Sequence, residues 1–166
     1  EFYTPEEISG ILARTSRLMK IQVDDKALKE LAARSRLTPR IANRLIRRIR
    51  DYAEVHNNGV VDSDVLTAAF SLLEVDELGL DSADRRVLNT LIEHYNGGPA
   101  GVEALAAALS EERQTIEDVV EPYLIQQGLL RRTSRGRTVS EKGYRHLGLI
   151  PPSESSAPQT TLELEK

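Results

Sequence analysis

Apolar residues recur along this chain at helical spacing, and capping residues stand in the gaps between the apolar stripes. Thr4-Pro5-Glu6-Glu7 is a capping box with proline at the first helical position. A helix therefore starts at Pro5 and turns Ile8, Ile11 and Leu12 to one side, with Leu18 as a further candidate. Asp24 or Asp25 caps a second helix, in which Ala27, Leu28, Leu31 and Ala32 recur, ending near Arg36. Thr38 is a good N-cap and Pro39 a good N1 residue, so a third helix runs from Pro39 to about His56. Its inward positions are Ile41, Leu45, Ile49 and Tyr52, and Asn57-Asn58-Gly59 stops it. Asp62-Ser63 caps a fourth helix carrying Val65, Leu66, Ala69 and Leu73. Four helices on short connections predict a small bundle.

From Val75 to Asp81 the periodicity lapses, which makes this stretch the expected boundary between a first domain, 1–75, and a second, 76–150. Ser82 to Tyr95 is helical through Val87, Leu88, Leu91 and Ile92, and Asn96-Gly97-Gly98-Pro99 breaks it. An alanine-rich helix follows from Val102 to Leu109. Ser110 is the expected N-cap, with Arg113 at N3, of a longer helix turning Ile116, Val119, Val120 and Tyr123 inward. Helix, short turn, helix is a helix-turn-helix arrangement. Leu129 to Thr133 and Thr138 to Ser140 read as two short strands around Ser134-Arg135-Gly136-Arg137, a hairpin or wing, and Glu141 to Leu147 is a closing helix. The stretch 151–166 is an expected disordered tail, polar and rich in Ser, Thr, Pro and Glu from Ser153. The fold class is mainly α: a four-helix bundle followed by a winged-helix domain with a small β-hairpin wing.

Composition narrows the chemistry. A length of 166 residues suits two small domains. The absence of cysteine removes disulfides and thiolate metal sites and is compatible with a reducing cytoplasm. No apolar run approaches the roughly 20 residues a bilayer span needs, and no signal-peptide pattern opens the chain, so a soluble, intracellular protein is expected. The net charge of −4 excludes a uniformly basic coat, and any DNA contact must come from a local arginine cluster. His56, His94 and His146 are far apart, so no metal site is expected. Neither a Gly-x-x-x-x-Gly-Lys-Ser/Thr loop nor an acidic strand end for magnesium occurs, so no catalytic residue is expected in this chain and it should not hydrolyse ATP unaided.

Two arginine clusters remain. Arg40 falls at N2 of the third helix, where a positive helix end and a fixed cation together suit an anion such as a nucleotide phosphate. Arg44 and Arg47 or Arg48 follow roughly a turn apart on one side, and a solvated or carboxylate-paired face is the plain alternative. The second cluster is Arg131, Arg132, Arg135 and Arg137 on the wing, a density that fits phosphate contact. The expected recognition helix carries Glu111, Glu112, Glu117, Asp118 and Glu121, which repel a DNA backbone and are offset only by Arg113. Charge alone therefore predicts a wing, with Arg113, touching the backbone and little base reading; the alternative is a wing whose arginines pair with this acidic helix.

The run Thr38-Pro39-Arg40-Ile41-Ala42-Asn43-Arg44 resembles the sensor-2 helix of the RuvB-type Holliday junction branch-migration ATPases, a family of AAA+ motors, with Leu37 where the family pattern has glycine. Gly97 to Gly101 and most of Glu112 to Arg137 resemble the same family's winged helix, with Ser134 in place of a proline. The likeness covers residues 1 to about 150 in collinear order. It implies an AAA+ lid in the first domain, with Arg40 reaching the γ-phosphate side of ATP, Pro39 packing near the nucleotide and Tyr3 beside the adenine. It implies backbone contacts to DNA from Arg132 and Arg137, with Arg113 and Arg135 as further contacts. ATP or ADP with Mg2+ would be bound mainly by an N-terminal P-loop domain that this chain lacks. The implied partners are duplex DNA at Holliday junctions, a RuvA-like junction-binding protein and further copies in a homo-hexamer, with no membrane, in the bacterial cytoplasm. The implied process is branch migration in recombination and DNA repair. A non-enzymatic transcriptional regulator and a protein-docking module are the alternatives from other classes.

Overall fold

Thr4 opens the first helix, α1 (Pro5–Met19), through both halves of its capping box: the Glu7 amide donates to the Thr4 hydroxyl at 3.2 Å, and the Thr4 amide donates to the Glu7 carboxylate at 2.7 Å. The computed structural model describes residues 3–152, which fall into two compact units, one through Asn89 and one from Thr90. After α1 the first unit contains β1 (Gln22–Val23), α2 (Asp25–Ala33), α3 (Pro39–His56), β2 (Val60–Val61), α4 (Ser63–Leu72) and the opening turns of α5 (Ser82–Tyr95). Asp24 caps α2 and Asp62 caps α4, each accepting a backbone amide three residues on, at 2.6 and 2.9 Å. Ile8, Leu12, Leu31, Ile46, Ile49, Leu66 and Phe70 form the centre of the core.

The first unit differs in several places from what the sequence pattern predicts. Leu18 is 74% exposed and lies off the core. The buried face of α3 is Ala42, Leu45, Ile46, Ile49 and Ala53, with Ile41 and Tyr52 at its margins, because α3 packs against α1, α2 and α4 and needs a wide apolar stripe. Finally, β1 and β2 pair in parallel, Gln22 with Val60 and Val23 with Val61, and two-residue strands leave no alternation to read.

α2 also stops at Ala33, short of Arg36, because the chain turns through left-handed backbone at Arg36 (φ 56°) and Leu37 (φ 51°), a conformation glycine adopts more freely. That turn aims Arg36 inward. Its guanidinium meets the Asp84 carboxylate, lies 3.4 Å from Asp81, and donates from Nε to the Gly79 carbonyl at 2.9 Å. Burial pushes the Asp84 carboxyl up to about 6, against the pull of Arg36. Arg85 adds bonds to the carbonyls of Leu80 (3.0 Å) and Glu74 (2.7 Å). These arginines fasten the aperiodic stretch and the start of α5 to the bundle, which is why the first compact unit extends to Asn89.

The second unit contains the remainder of α5, then α6 (Val102–Leu109), α7 (Arg113–Thr115), a π-helical turn (Ile116–Val120), α8 (Glu121–Gln126), β3 (Leu130–Thr133), β4 (Gly136–Val139) and α9 (Glu141–His146). Ser110 ends α6 in a left-handed conformation (φ 55°), and Glu112 holds the N-cap position of α7. Pro122 has no N–H to continue an i to i−4 ladder, and a wider π turn precedes it. The turn rotates the register, so Ile116, Val120, Tyr123 and Leu124 are buried and Val119 is 62% exposed. The hairpin is tighter than the sequence suggests: Thr133 pairs with Gly136, which leaves Ser134-Arg135 as the turn and places Gly136 and Arg137 in β4. Gly97 to Ala100 lies along the other side of β4, with Ala100 and Arg137 exchanging both backbone bonds (3.0 and 2.8 Å) and Val139 donating to Gly97 at 2.8 Å.

Candidate functional site

In the first unit the start of α3 is the chemically distinctive end. Thr38 holds the N-cap position, yet its hydroxyl donates to the Arg36 carbonyl at 3.0 Å and no side chain covers the first-turn amides. Pro39 at N1 has no amide to offer. Arg40 is exposed on this turn and has no hydrogen-bond or ion-pair partner among the described residues. An 18-residue helix thus presents its positive end together with an uncommitted guanidinium. Tyr3 is 44% exposed just before the α1 cap, and no hydrogen bond or ring contact among the described residues joins it to Pro39 or Arg40. Arg44, Arg47 and Arg48 are likewise exposed and unpaired among the described residues, whereas Arg50 is committed to Asp51 at 2.6 Å.

In the second unit the wing is built on a cross-strand pair, Arg132 in β3 opposite Arg137 in β4. Paired residues share a face, and this one looks at Glu117 and Glu121. Arg137 donates to Glu121 from Nε (3.0 Å) and from its terminal nitrogen (2.8 Å), and to Glu117 at 2.9 Å. Its side chain is only 7% exposed and that of Glu121 only 3%. Burial opposes the charge on Arg137, but its bonds to Glu121 and Glu117 outweigh that and raise its pKa. β4 runs between β3 and the 97–100 segment, and Arg137, for which a DNA backbone contact is expected, is here an internal brace committed to Glu117 and Glu121.

Arg132 remains 61% exposed, 3.7 Å from Glu117 and 3.8 Å from Glu121, the spacing of a loose ion pair. Arg135 in the turn and Arg131 on the opposite face of β3 are exposed, with no hydrogen-bond or ion-pair partner among the described residues. Arg113, by contrast, is bound to Glu103 at 2.6 Å and Glu117 at 2.9 Å. The Arg113 hydrogen bond, and then that of Arg137, holds the Glu117 carboxyl below its usual range. Glu117 and Glu121 are thus paired from within, Arg131 and Arg135 lie exposed without a partner among the described residues, and Arg132 is exposed on the face it shares with Arg137. By sequence Arg131 belongs to the cluster without standing out from it; period-two alternation along β3 is the signal that separates it from Arg132. Such an edge can hold phosphates and is poorly suited to reading bases. Among the described residues no group of three or more His, Asp or Glu side chains gathers to hold a metal, and no helix is long and apolar enough to cross a membrane.

Comparison with known proteins agrees with this arrangement. Residues 3–76 match the RuvB AAA lid domain and residues 77–148 match the RuvB C-terminal winged helix domain. The Holliday junction branch migration complex subunit RuvB of Gluconobacter oxydans is 53% identical over 162 residues, covering 98% of this chain and 46% of that protein. The solved Thermotoga maritima RuvB Holliday junction branch migration motor superposes with a TM-score of 0.88 at 45% identity, over 92% of this chain and 51% of that one. A mutant of the Thermotoga maritima protein gives the same score and identity over 50% of its length. The chain spans about half the length of the curated relative it matches. With two domain matches that run consecutively across nearly all the described residues, and a likeness along almost the whole chain in sequence and in backbone, the chain belongs to the RuvB family.

Proposed function

We propose that this chain supplies the nucleotide-sensing lid and the DNA-gripping winged helix of an ATP-dependent translocase that drives Holliday junction branch migration in recombination and repair. The reading rests above all on the outward wing guanidiniums: Arg131 and Arg135 are unpaired among the described residues and Arg132 is only loosely paired, while the neighbouring acids are occupied by Arg113 and Arg137. Arg132 and Arg135, joined by Arg131, hold backbone phosphates, and Arg137 with Arg113 sets the angle of the wing. Contacts of this kind suit a motor, which must grip any sequence. Residues 1–75 act as the lid and 76–150 as the DNA-binding domain. ATP or ADP with Mg2+ binds mainly to a P-loop domain outside this chain, and Arg40, Pro39 and Tyr3 meet it from the lid side. Nucleotide turnover then tilts the lid and carries the wing along the duplex. A RuvA-like partner presents the junction, and the working form is a homo-hexamer in the bacterial cytoplasm.

The test is duplex binding by the full chain as a function of salt. Arg132→Ala with Arg135→Ala should weaken binding and lower the slope of log K against log salt by about 0.9 for each phosphate no longer neutralised. Random duplex should compete as well as any chosen sequence. Unchanged affinity at low salt would remove the wing from the mechanism, and a preference of orders of magnitude for one site would indicate a regulator.

A further inference from the structure

Beside α3, a cleft of about 250 Å³ opens between that helix and the stretch from Leu73 to Ala83. It is lined by apolar side chains, Ile41, Leu45, Leu73 and Val75, and by cationic ones, Arg34, Arg44 and Arg48. The cations are unequal in what already occupies them. Arg34 lies 4.4 Å over the Phe70 ring and pairs with Glu30 at 2.8 Å, so it is held in place. Arg36, deeper in, is bound to Asp84 and lies near Asp81, the only carboxylate among the described residues that line the cleft. Arg44 and Arg48 are exposed and have no hydrogen-bond or ion-pair partner among the described residues. One turn apart on α3, both line the same cleft. Two uncommitted guanidiniums on the lining of one cleft create a local positive potential that surface arginines scattered over a helix would not.

We infer that this cleft is an anion site for a phosphate group, held between the guanidiniums of Arg44 and Arg48 with Arg34 behind them. The planar fork of arginine matches tetrahedral oxyanions in bidentate fashion, and two forks at helical spacing can close on one group. The cleft volume corresponds to about eight waters, room for a phosphate or pyrophosphate or for one phosphate of a single strand, and too small for a duplex. Arg40 does not line it, so this site is separate from the helix start assigned to nucleotide sensing. The inference stands on the first unit alone and does not rest on the motor reading.

The experiment uses methyl NMR of the full chain at low salt, titrated with inorganic pyrophosphate and, separately, with a single-stranded oligodeoxynucleotide. Pyrophosphate should shift the methyls of Leu45 and Leu73, and Arg44→Ala with Arg48→Ala should weaken that binding at least about tenfold. Arg14→Ala, an exposed arginine on α1, should leave it unchanged. The same shifts with the oligonucleotide alone would assign the phosphate to a nucleic-acid strand, and with pyrophosphate alone to a free polyphosphate. Absence of these shifts with both probes, equal binding by the double variant, or the same shifts only with a poly-glutamate peptide would overturn the inference. Unchanged circular dichroism of the double variant keeps loss of binding distinct from loss of fold.

Discussion

Arg132 and Arg137 are the same residue type, directly opposite one another in one hairpin, yet one is 61% and the other 7% exposed. Strand position makes the difference. Arg132 lies on the free edge, whereas Arg137 lies in the strand flanked on both sides and is pressed against Glu117 and Glu121. Removing each should have different consequences. Arg137→Ala leaves the Glu121 carboxylate buried without its partner and should cost about 3–5 kcal/mol, read from urea unfolding of the full chain. Arg132→Ala removes only a loose, exposed pair and should cost no more than about 1 kcal/mol. Equal losses would mean that the brace is not Arg137. Other single positions are legible from sequence: Thr4, Asp24 and Asp62 cap as their side chains dictate, because capping involves only neighbours three residues on. Thr38 takes a different partner, since the left-handed turn before it places the Arg36 carbonyl within reach of its hydroxyl.

Among the elements, helices with a broad apolar stripe are legible and the connections that aim them are not. The seam between β4 and the 97–100 segment is the clearest case. Gly136 has φ 135°, and a Cβ there would run into the Ala100 carbonyl, so the strand can approach only as glycine. Gly136→Ala should therefore destabilise the second unit by about 2 kcal/mol or more and loosen the wing. Faster amide exchange at Ala100 and Arg137 would report it, since these two residues exchange the bonds of the seam. Retained protection at both would show that the seam tolerates the methyl group. The π turn before Pro122 is an element-scale device of the same kind: a register change too local for a periodicity window puts Val119 outside and Val120 inside.

For the whole molecule, the groups proposed to sense nucleotide and to grip DNA lie in different units, Arg40 in the first and the wing in the second. Arg40 is exposed and unpaired among the described residues, so removing it should not disturb the fold. In a protein that joins this chain to a P-loop ATPase domain, as the proposed function requires, Arg40→Ala should leave the unfolding midpoint within error and cut ATP turnover at least about tenfold, as expected for a group that stabilises transferring phosphate. Normal turnover would take Arg40 out of the sensing role. The bundle itself follows from a readable pattern, but the extent of the first unit does not: Arg36 and Arg85 reach residues more than ten positions away, and such pairings leave no local trace.

By itself the sequence determined most of the helices, the caps of α1, α2 and α4, the existence of the wing and the family resemblance, because each depends on residues a few positions apart or on a run of side chains in fixed order. Tertiary structure decided which of the arginines are free. Whether a guanidinium grips a phosphate or braces its own fold depends on the carboxylates that packing brings to it, and Glu117 and Glu121 reach Arg137 only when the hairpin closes on the helix. The same packing left Arg44 and Arg48 open on the lining of their cleft.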